Sequence, residues 1–223
     1  MSAPLAARFI VIEGPEGAGK STQVRRLAEA LRKRGAEVVV THEPGGTPAA
    51  EAIRRVFLSG EHEAITPLTE LFLICAARAQ HIAEVVRPAL EAGRTVLCDR
   101  FSPSTMVYQG YAGGLPLETA RVVDEAARQG LLPDLTIVVD VPAEVGLQRN
   151  RRDNAADRME GKGLEFHRRV REGYLRYAAE AEEPCVVISG EADAEAVARE
   201  VLEAVVGEAP NPPASPSSEG GRT

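Results

Sequence analysis

The stretch FIVIEGPEGAGKSTQVRRLAEAL, residues 9–31, sets an apolar run, a glycine-rich turn and an amphipathic segment one after another. The run FIVIEG has no polar alternation, the pattern of a strand buried on both faces of a parallel sheet. Val24, Leu27, Ala28 and Leu31 then recur at i, i+3, i+4 and i+7, which predicts a helix, with Gly35 as its stop signal. Between the two, Gly14, Pro15, Glu16, Gly17, Ala18, Gly19, Lys20 and Ser21, followed by Thr22, fit the pattern G-x-x-x-x-G-K-[ST]. Glycines so placed let successive backbone N–H groups curl around phosphate oxygens, while the helix points its positive end at them. Lys20 is expected to reach the β- and γ-phosphates of a nucleoside triphosphate, and the Ser21 hydroxyl to ligate Mg²⁺. A loop of this kind shows that phosphate is held. It does not show which reaction follows.

Four further apolar runs repeat the buried-strand pattern: EVVVTH (37–42), TVLCDR (95–100), LTIVVDV (135–141) and CVVISG (185–190). The segment 66–93 opens with a proline and an acid and stops at Gly93. It is apolar nearly all round, which predicts a buried helix carrying Arg78 and His81. Phe166, Val170, Tyr174 and Tyr177 mark another helix, and Val197, Val201 and Val205 the last. Strands alternating with helices predict an α/β fold with a parallel sheet. The reading is one domain over 1–207 and a Pro/Ser/Gly-rich tail, 208–223, expected to be disordered.

Composition removes several function classes. A net charge of −7 and a pI near 5.3 argue against a protein that coats nucleic acid, yet leave room for a locally basic pocket. Cys75, Cys98 and Cys185 stand in apolar surroundings at no metal-ligand spacing and read as reduced core residues. No run reaches the roughly 18 apolar residues of a membrane span, and MSAPLAARFIVIEG has no long apolar leader segment. The expectation is a cytoplasmic protein with no membrane partner.

A phosphate loop also needs an acid near the metal at the end of a second buried strand. Asp99 and Asp140 are the candidates, and Asp99 is favoured because Arg100 follows it at a strand's carboxyl end, where α/β sites gather. The segment RNRRDNAADRMEGKG, 149–163, holds Arg149, Arg151, Arg152 and Arg158 without apolar periodicity. A solvated loop is one reading. Beside a phosphate loop, a mobile lid whose guanidinium groups stabilise a transferring phosphoryl group is the stronger one. No N-K-x-D guanine-reading element is present, and the chain has no room for the extra modules of transport or motor ATPases. What remains is a kinase for a small molecule, with an ATP-sensing module as the more distant alternative.

EGPEGAGKST, THEPGGTP, DRFSPSTMVYQG and DRMEGKGLEFHRRVREGY together resemble, in order and spacing, the motifs of bacterial thymidylate kinases, from about Phe9 to Val206. The resemblance implies a three-layer fold with a five-stranded parallel sheet, transfer of phosphate from ATP to dTMP with Mg²⁺, and a homodimer. It implies that residues Gly14 to Thr22 bind ATP, with Lys20 catalytic, that Asp99 and Ser21 organise the metal, and that Arg100 holds the acceptor's 5′-phosphate. Glu16 would lie toward the sugar, Arg78 would face the thymine, Thr105 its N3 edge, and Tyr108 and Gln109 the deoxyribose side. Glu43–Pro44 resembles the family's cis-proline turn, and the resemblance implies that Glu43, Pro44 and Ile74 also contact the acceptor. Basic residues are missing from the loop positions Pro15, Glu16 and Ala18, so the lid arginines would supply the catalytic charge, as in the bacterial subtype.

Two positions depart from the family's pattern. His42 stands where an arginine is common, and Ile74 where a phenylalanine usually stacks on the base; the nearest aromatic, Phe72, falls on another helical face. A kinase for dUMP, dCMP or a nucleoside is the nearest rival.

Overall fold

The computed structural model describes residues 8–59, 65–150 and 159–207. Five parallel strands, β1 (Phe9–Glu13), β2 (Val38–His42), β3 (Thr95–Asp99), β4 (Leu135–Asp140) and β5 (Cys185–Ser189), lie in the order β2-β3-β1-β4-β5. Ile12 and His42 both register with Asp99, and Glu13 registers with Val138. The carboxyl ends therefore open side by side at the point where strand order reverses around β1, the place where α/β sheets take ligands.

The period of two along β1 sorts the layers. Ile10 and Ile12 join the core formed with α1 (Lys20–Lys33) and α9 (Ala194–Val206), through Val24, Leu27, Leu31, Val197 and Val201. Phe9 and Val11 face the opposite layer, against Ile82, Val86 and Phe101. By the same alternation Glu13 turns toward that second layer, which carries α2 (Pro48–Leu58), α3 (Pro67–His81), α4 (Arg87–Glu91), α5 (Ser102–Thr105), α6 (Leu117–Arg128) and α8 (Leu164–Glu180). A short α7 (Ala143–Asn150) follows β4.

Two expectations need correction. Burial on both faces holds for β1, β3 and β4 but not for β2 and β5, where Val40 and Val187 are nearly half exposed. The cause is position, since edge strands have a neighbour on one side only. The 66–93 segment is helical almost throughout, but it is neither uniform nor fully buried. Between α3 and α4 the residues Ile82–Val86 form a wider turn with π-type hydrogen bonding, next to Pro88, whose missing N–H and ring disturb the regular ladder. Leu68 and Phe72 of α3 are exposed.

Helix α2 was not anticipated, although its start was legible. The Thr47 hydroxyl accepts from the Ala50 N–H at 3.1 Å, and Pro48 supplies a preset first helical position.

Candidate active site

The loop between β1 and α1 is shaped by close backbone approach. Gly14 and Gly17 hold φ of 141° and 69°, and a Cβ on them would lie 2.2 Å from the Val139 carbonyl oxygen and 2.0 Å from that of Gly146. Gly19, at φ 90°, faces open space and caps α1 without a side-chain hydrogen bond, so the helix's first N–H groups stay available. Gly17, Gly19, Lys20, Ser21 and Thr22 line a cleft of about 890 Å³ together with Asp99. Gly14, Pro15 and Ala18 shape the loop from behind: the Gly14 carbonyl accepts from Arg100, that of Pro15 accepts from Lys20 Nζ at 2.8 Å, and Ala18 packs into the core. Burial, with the charge of Arg100, pulls the Lys20 ammonium down to about 8.

The Ser21 hydroxyl donates to Asp99 Oδ2 at 2.5 Å, which sets two hard oxygen donors next to the loop. Among the described residues no group of three or more His, Cys, Asp or Glu side chains is gathered to hold a metal by itself. A serine hydroxyl and one carboxylate suit Mg²⁺, which keeps waters and takes phosphate oxygens for most of its shell. Asp140 is engaged elsewhere, in a two-pronged pair with Arg171 at 2.8 Å for each bond. His42 lines the cleft but gives Nε2 to Glu51 Oε1 at 2.8 Å. Arg149 also lines the cleft, its Nη1 donating to the Gly190 carbonyl at 2.8 Å. Arg151, Arg152 and Arg158 lie outside the described residues.

A second, smaller cavity of about 120 Å³ adjoins the cleft and shares Glu16, Glu43, Arg54 and Arg100 with it. Every residue assigned to the acceptor lines this cavity, Ile74, Pro44, Thr105, Tyr108, Gln109 and Arg78 included. The Glu43–Pro44 bond is cis.

Arg100 stands at the junction with φ 73°, a conformation that costs a non-glycine residue about 1–2 kcal/mol. Its guanidinium donates to Glu16 Oε1 at 3.0 Å and to the Tyr174 hydroxyl at 2.8 Å, and sits 5.1 Å from the centroid of the Tyr108 ring. Tyr108 in turn donates to Glu16 Oε1 at 2.9 Å. Burial alone would raise the Glu16 carboxyl, but Arg100 and Lys20 outweigh it and hold the group at about 2. Beneath them lies fully buried Glu13, which accepts from the Phe101 N–H at 2.7 Å, the Ser104 hydroxyl at 2.7 Å and the Tyr174 hydroxyl at 2.9 Å. Desolvation raises its pKa. Glu13 thus holds the turn that carries Arg100. An acid at the end of an otherwise apolar strand was its only sequence signal.

Glu43 occupies the cavity wall in a different way from that expected of a direct ligand contact. Its two oxygens accept from Arg78 Nε at 2.8 Å and pair with His81 Nδ1 at 2.9 Å. Arg78 Nη1 bonds Asp124 Oδ1 on α6, and the guanidinium sits 5.0 Å from the Phe101 ring centroid. Burial opposes this charge, yet the two carboxylates prevail and raise its pKa. Among the described residues Arg78 Nη2, Thr105 Oγ1 and Gln109 Oε1 are buried without a hydrogen-bond partner, and all three residues line the same cavity. Unpaired buried polar atoms are costly, so three on residues lining one space give that space the capacity to bind a polar group. Asp124, Glu13, Tyr174 and the cavity-lining Arg54, Phe57 and Met159 were not found by sequence reading.

The family profile described as Thymidylate kinase matches residues 12–201. The chain belongs to the thymidylate kinase family. A thymidylate kinase of Caulobacter vibrioides is 48% identical over 198 residues, 89% of this chain and 95% of that protein. One from Pseudomonas fluorescens is 53% identical over 170 residues, 76% and 81% of the two chains. The crystal structure of a thymidylate kinase from Ehrlichia chaffeensis superposes with a TM-score of 0.73 at 31% identity, covering 90% of this chain and 99% of that one. The five-stranded parallel sheet flanked by helices is thus the fold of a solved family member.

Proposed function

We propose that this chain transfers the γ-phosphoryl group of ATP to dTMP, giving ADP and dTDP, and so feeds dTTP synthesis for DNA replication. One observation carries the reading: a phosphate-loop cleft and a smaller cavity whose lining residues carry three unpartnered polar atoms meet at Arg100 and Glu16. ATP phosphates occupy the loop from Gly14 to Thr22, and the base of dTMP fills the cavity between Ile74, Arg78 and Thr105. Arg100 takes the acceptor's 5′-phosphate, which is largely dianionic at neutral pH because its second pKa lies near 6. No strong general base is needed. The obstacle is repulsion between two polyanions, which Lys20, Arg100 and Arg149, with Arg151, Arg152 and Arg158 of the lid, offset while the oxygens are aligned. Ser21 and Asp99 would hold Mg²⁺, which neutralises phosphate charge when bound. Ile74 covers the base by apolar contact in place of an aromatic ring.

The active form is a homodimer in the cytoplasm. Ala49, Ala52 and Val56 of α2, Leu68, Phe72 and Ala76 of α3, and Val122 and Ala126 of α6 each fall in an exposed stripe at helical spacing. Apolar stripes on packed helices of a soluble chain are what a second copy would cover. Phe72→Glu should shift the sedimentation coefficient to that of a monomer; an unchanged dimer would move the interface elsewhere.

The test of the reaction is ADP release with ATP and Mg²⁺ against a panel of nucleoside monophosphates. Turnover should strongly favour dTMP. Comparable rates with dUMP or dCMP would keep the kinase and change its acceptor, and no dTMP-dependent turnover would overturn the assignment.

A further inference from the structure

We propose that Asp124, on α6, is a positioning residue for acceptor selection: it fixes the Arg78 guanidinium so that Nη2 faces the base. The inference rests on the reading of the 120 Å³ cavity as the base site. A guanidinium has five N–H donors in one rigid plane. Here Nε is taken by Glu43 from the turn after β2, and Nη1 by Asp124 from α6, while Nη2 has no partner among the described residues. Two carboxylates on two edges of the plane leave it no freedom to turn about its stem. The third edge then offers only N–H donors to the cavity.

That edge matches an acceptor oxygen, as in the 4-keto group of thymine or uracil. It opposes the 4-amino group of cytosine, which would set N–H against N–H. Asp124 is itself anchored. It is 2% exposed, its Oδ2 accepts from the Ser102 hydroxyl, and it pairs with Arg128 Nε at 3.0 Å. Ser102 lies two residues beyond Arg100, so one carboxylate ties the base-facing arginine to the turn bearing the phosphate-facing one. Discrimination is therefore set from a helix that does not touch the acceptor through Asp124.

Steady-state kinetics of Asp124→Ala, Asp124→Asn, Arg78→Ala and the Arg78→Ala/Asp124→Ala double variant, with dTMP and dCMP as acceptors, test this. Asp124→Ala should raise KM for dTMP about tenfold or more, as expected for loss of a buried charge-assisted hydrogen bond, and leave KM for ATP within about twofold. The preference for dTMP over dCMP should narrow. Asp124→Asn, which keeps the acceptor oxygen and loses the charge, should fall between Ala and wild type, and it carries the test if the Ala variant does not fold. In the Arg78→Ala background the Asp124 substitution should add little, because its target is gone. If Asp124 variants leave KM for dTMP unchanged while Arg78→Ala raises it, the positioning role is wrong and the base site stands. An Asp124 effect undiminished without Arg78, or equal losses for both substrates, overturns the proposal as well. If Arg78→Ala itself leaves dTMP binding intact, the base-site reading fails and the inference falls with it.

Discussion

The two cavities that meet at Arg100 are built by opposite means. The cleft is wide, about 890 Å³, and Gly17, Gly19, Lys20, Ser21 and Thr22 reach it from one short stretch of chain. The cavity proposed for the acceptor is about 120 Å³, and its polar groups come from separate parts of the chain: Glu16 from the loop, Glu43 after β2, Arg78 on α3, and Tyr108 and Gln109 just beyond α5. Backbone N–H groups read phosphate, which every nucleoside triphosphate shares, so a local motif suffices. Choosing a base needs side chains fixed in direction, and here they are fixed by one another through buried ion pairs. The cleft residues should therefore matter mostly for turnover, and the cavity residues for both binding and fold.

The largest expected effect tests the cleft. Lys20→Ala should lower kcat about a hundredfold or more while the thermal unfolding midpoint stays close to wild type. Arg100→Ala should be comparably inactive. Near-normal turnover in either variant would remove that residue from the mechanism.

Arg78→Ala reverses the emphasis. It removes the arginine partner of the buried Glu43 and Asp124 carboxylates, which costs about 3–5 kcal/mol of stability, and it should weaken dTMP binding more than ATP binding. Denaturant unfolding checks the first and kinetics the second. A variant as stable as wild type would erase the contrast between the two sites, and equal losses for both substrates would count against a base contact.

The smallest effect sharpens the junction. Glu16 is held at about 2 against an ordinary 4.5, so the native state keeps it ionised where the unfolded chain protonates it. Its contribution to stability is fully present above about pH 4.5 and is lost as pH falls toward 2. The stability difference between wild type and Glu16→Gln should shrink across that window in acid-unfolding curves. A difference independent of pH would mean that the pair with Arg100 adds nothing.

The strands, the phosphate loop and the α/β class were legible because each is written in adjacent residues: apolar runs, helical spacing, three glycines before Lys20. Helices α2 and α6 were harder to see. Their outward faces carry Val56 and Val122, which blur the apolar period that would have marked them. Ile74 and Phe72 were read correctly as lying on different faces, since helix geometry alone decides that: Ile74 lines the cavity and Phe72 is exposed. Glu13 and Asp124 could not be assigned from spacing, for their partners stand 88 and 46 positions away in the sequence.

Local pattern alone thus determined the five strands, the helices with a clean apolar period, that the chain holds phosphate, and, through its motifs, the family. Tertiary structure decided which buried charges neutralise each other. It took a folded sheet to place Glu13 under Arg100, and α6 against α3 to bring Asp124 to Arg78. The physical reason is that a charge in a low-dielectric interior is tolerated only beside its partner, and distance through space is not written in distance along the chain.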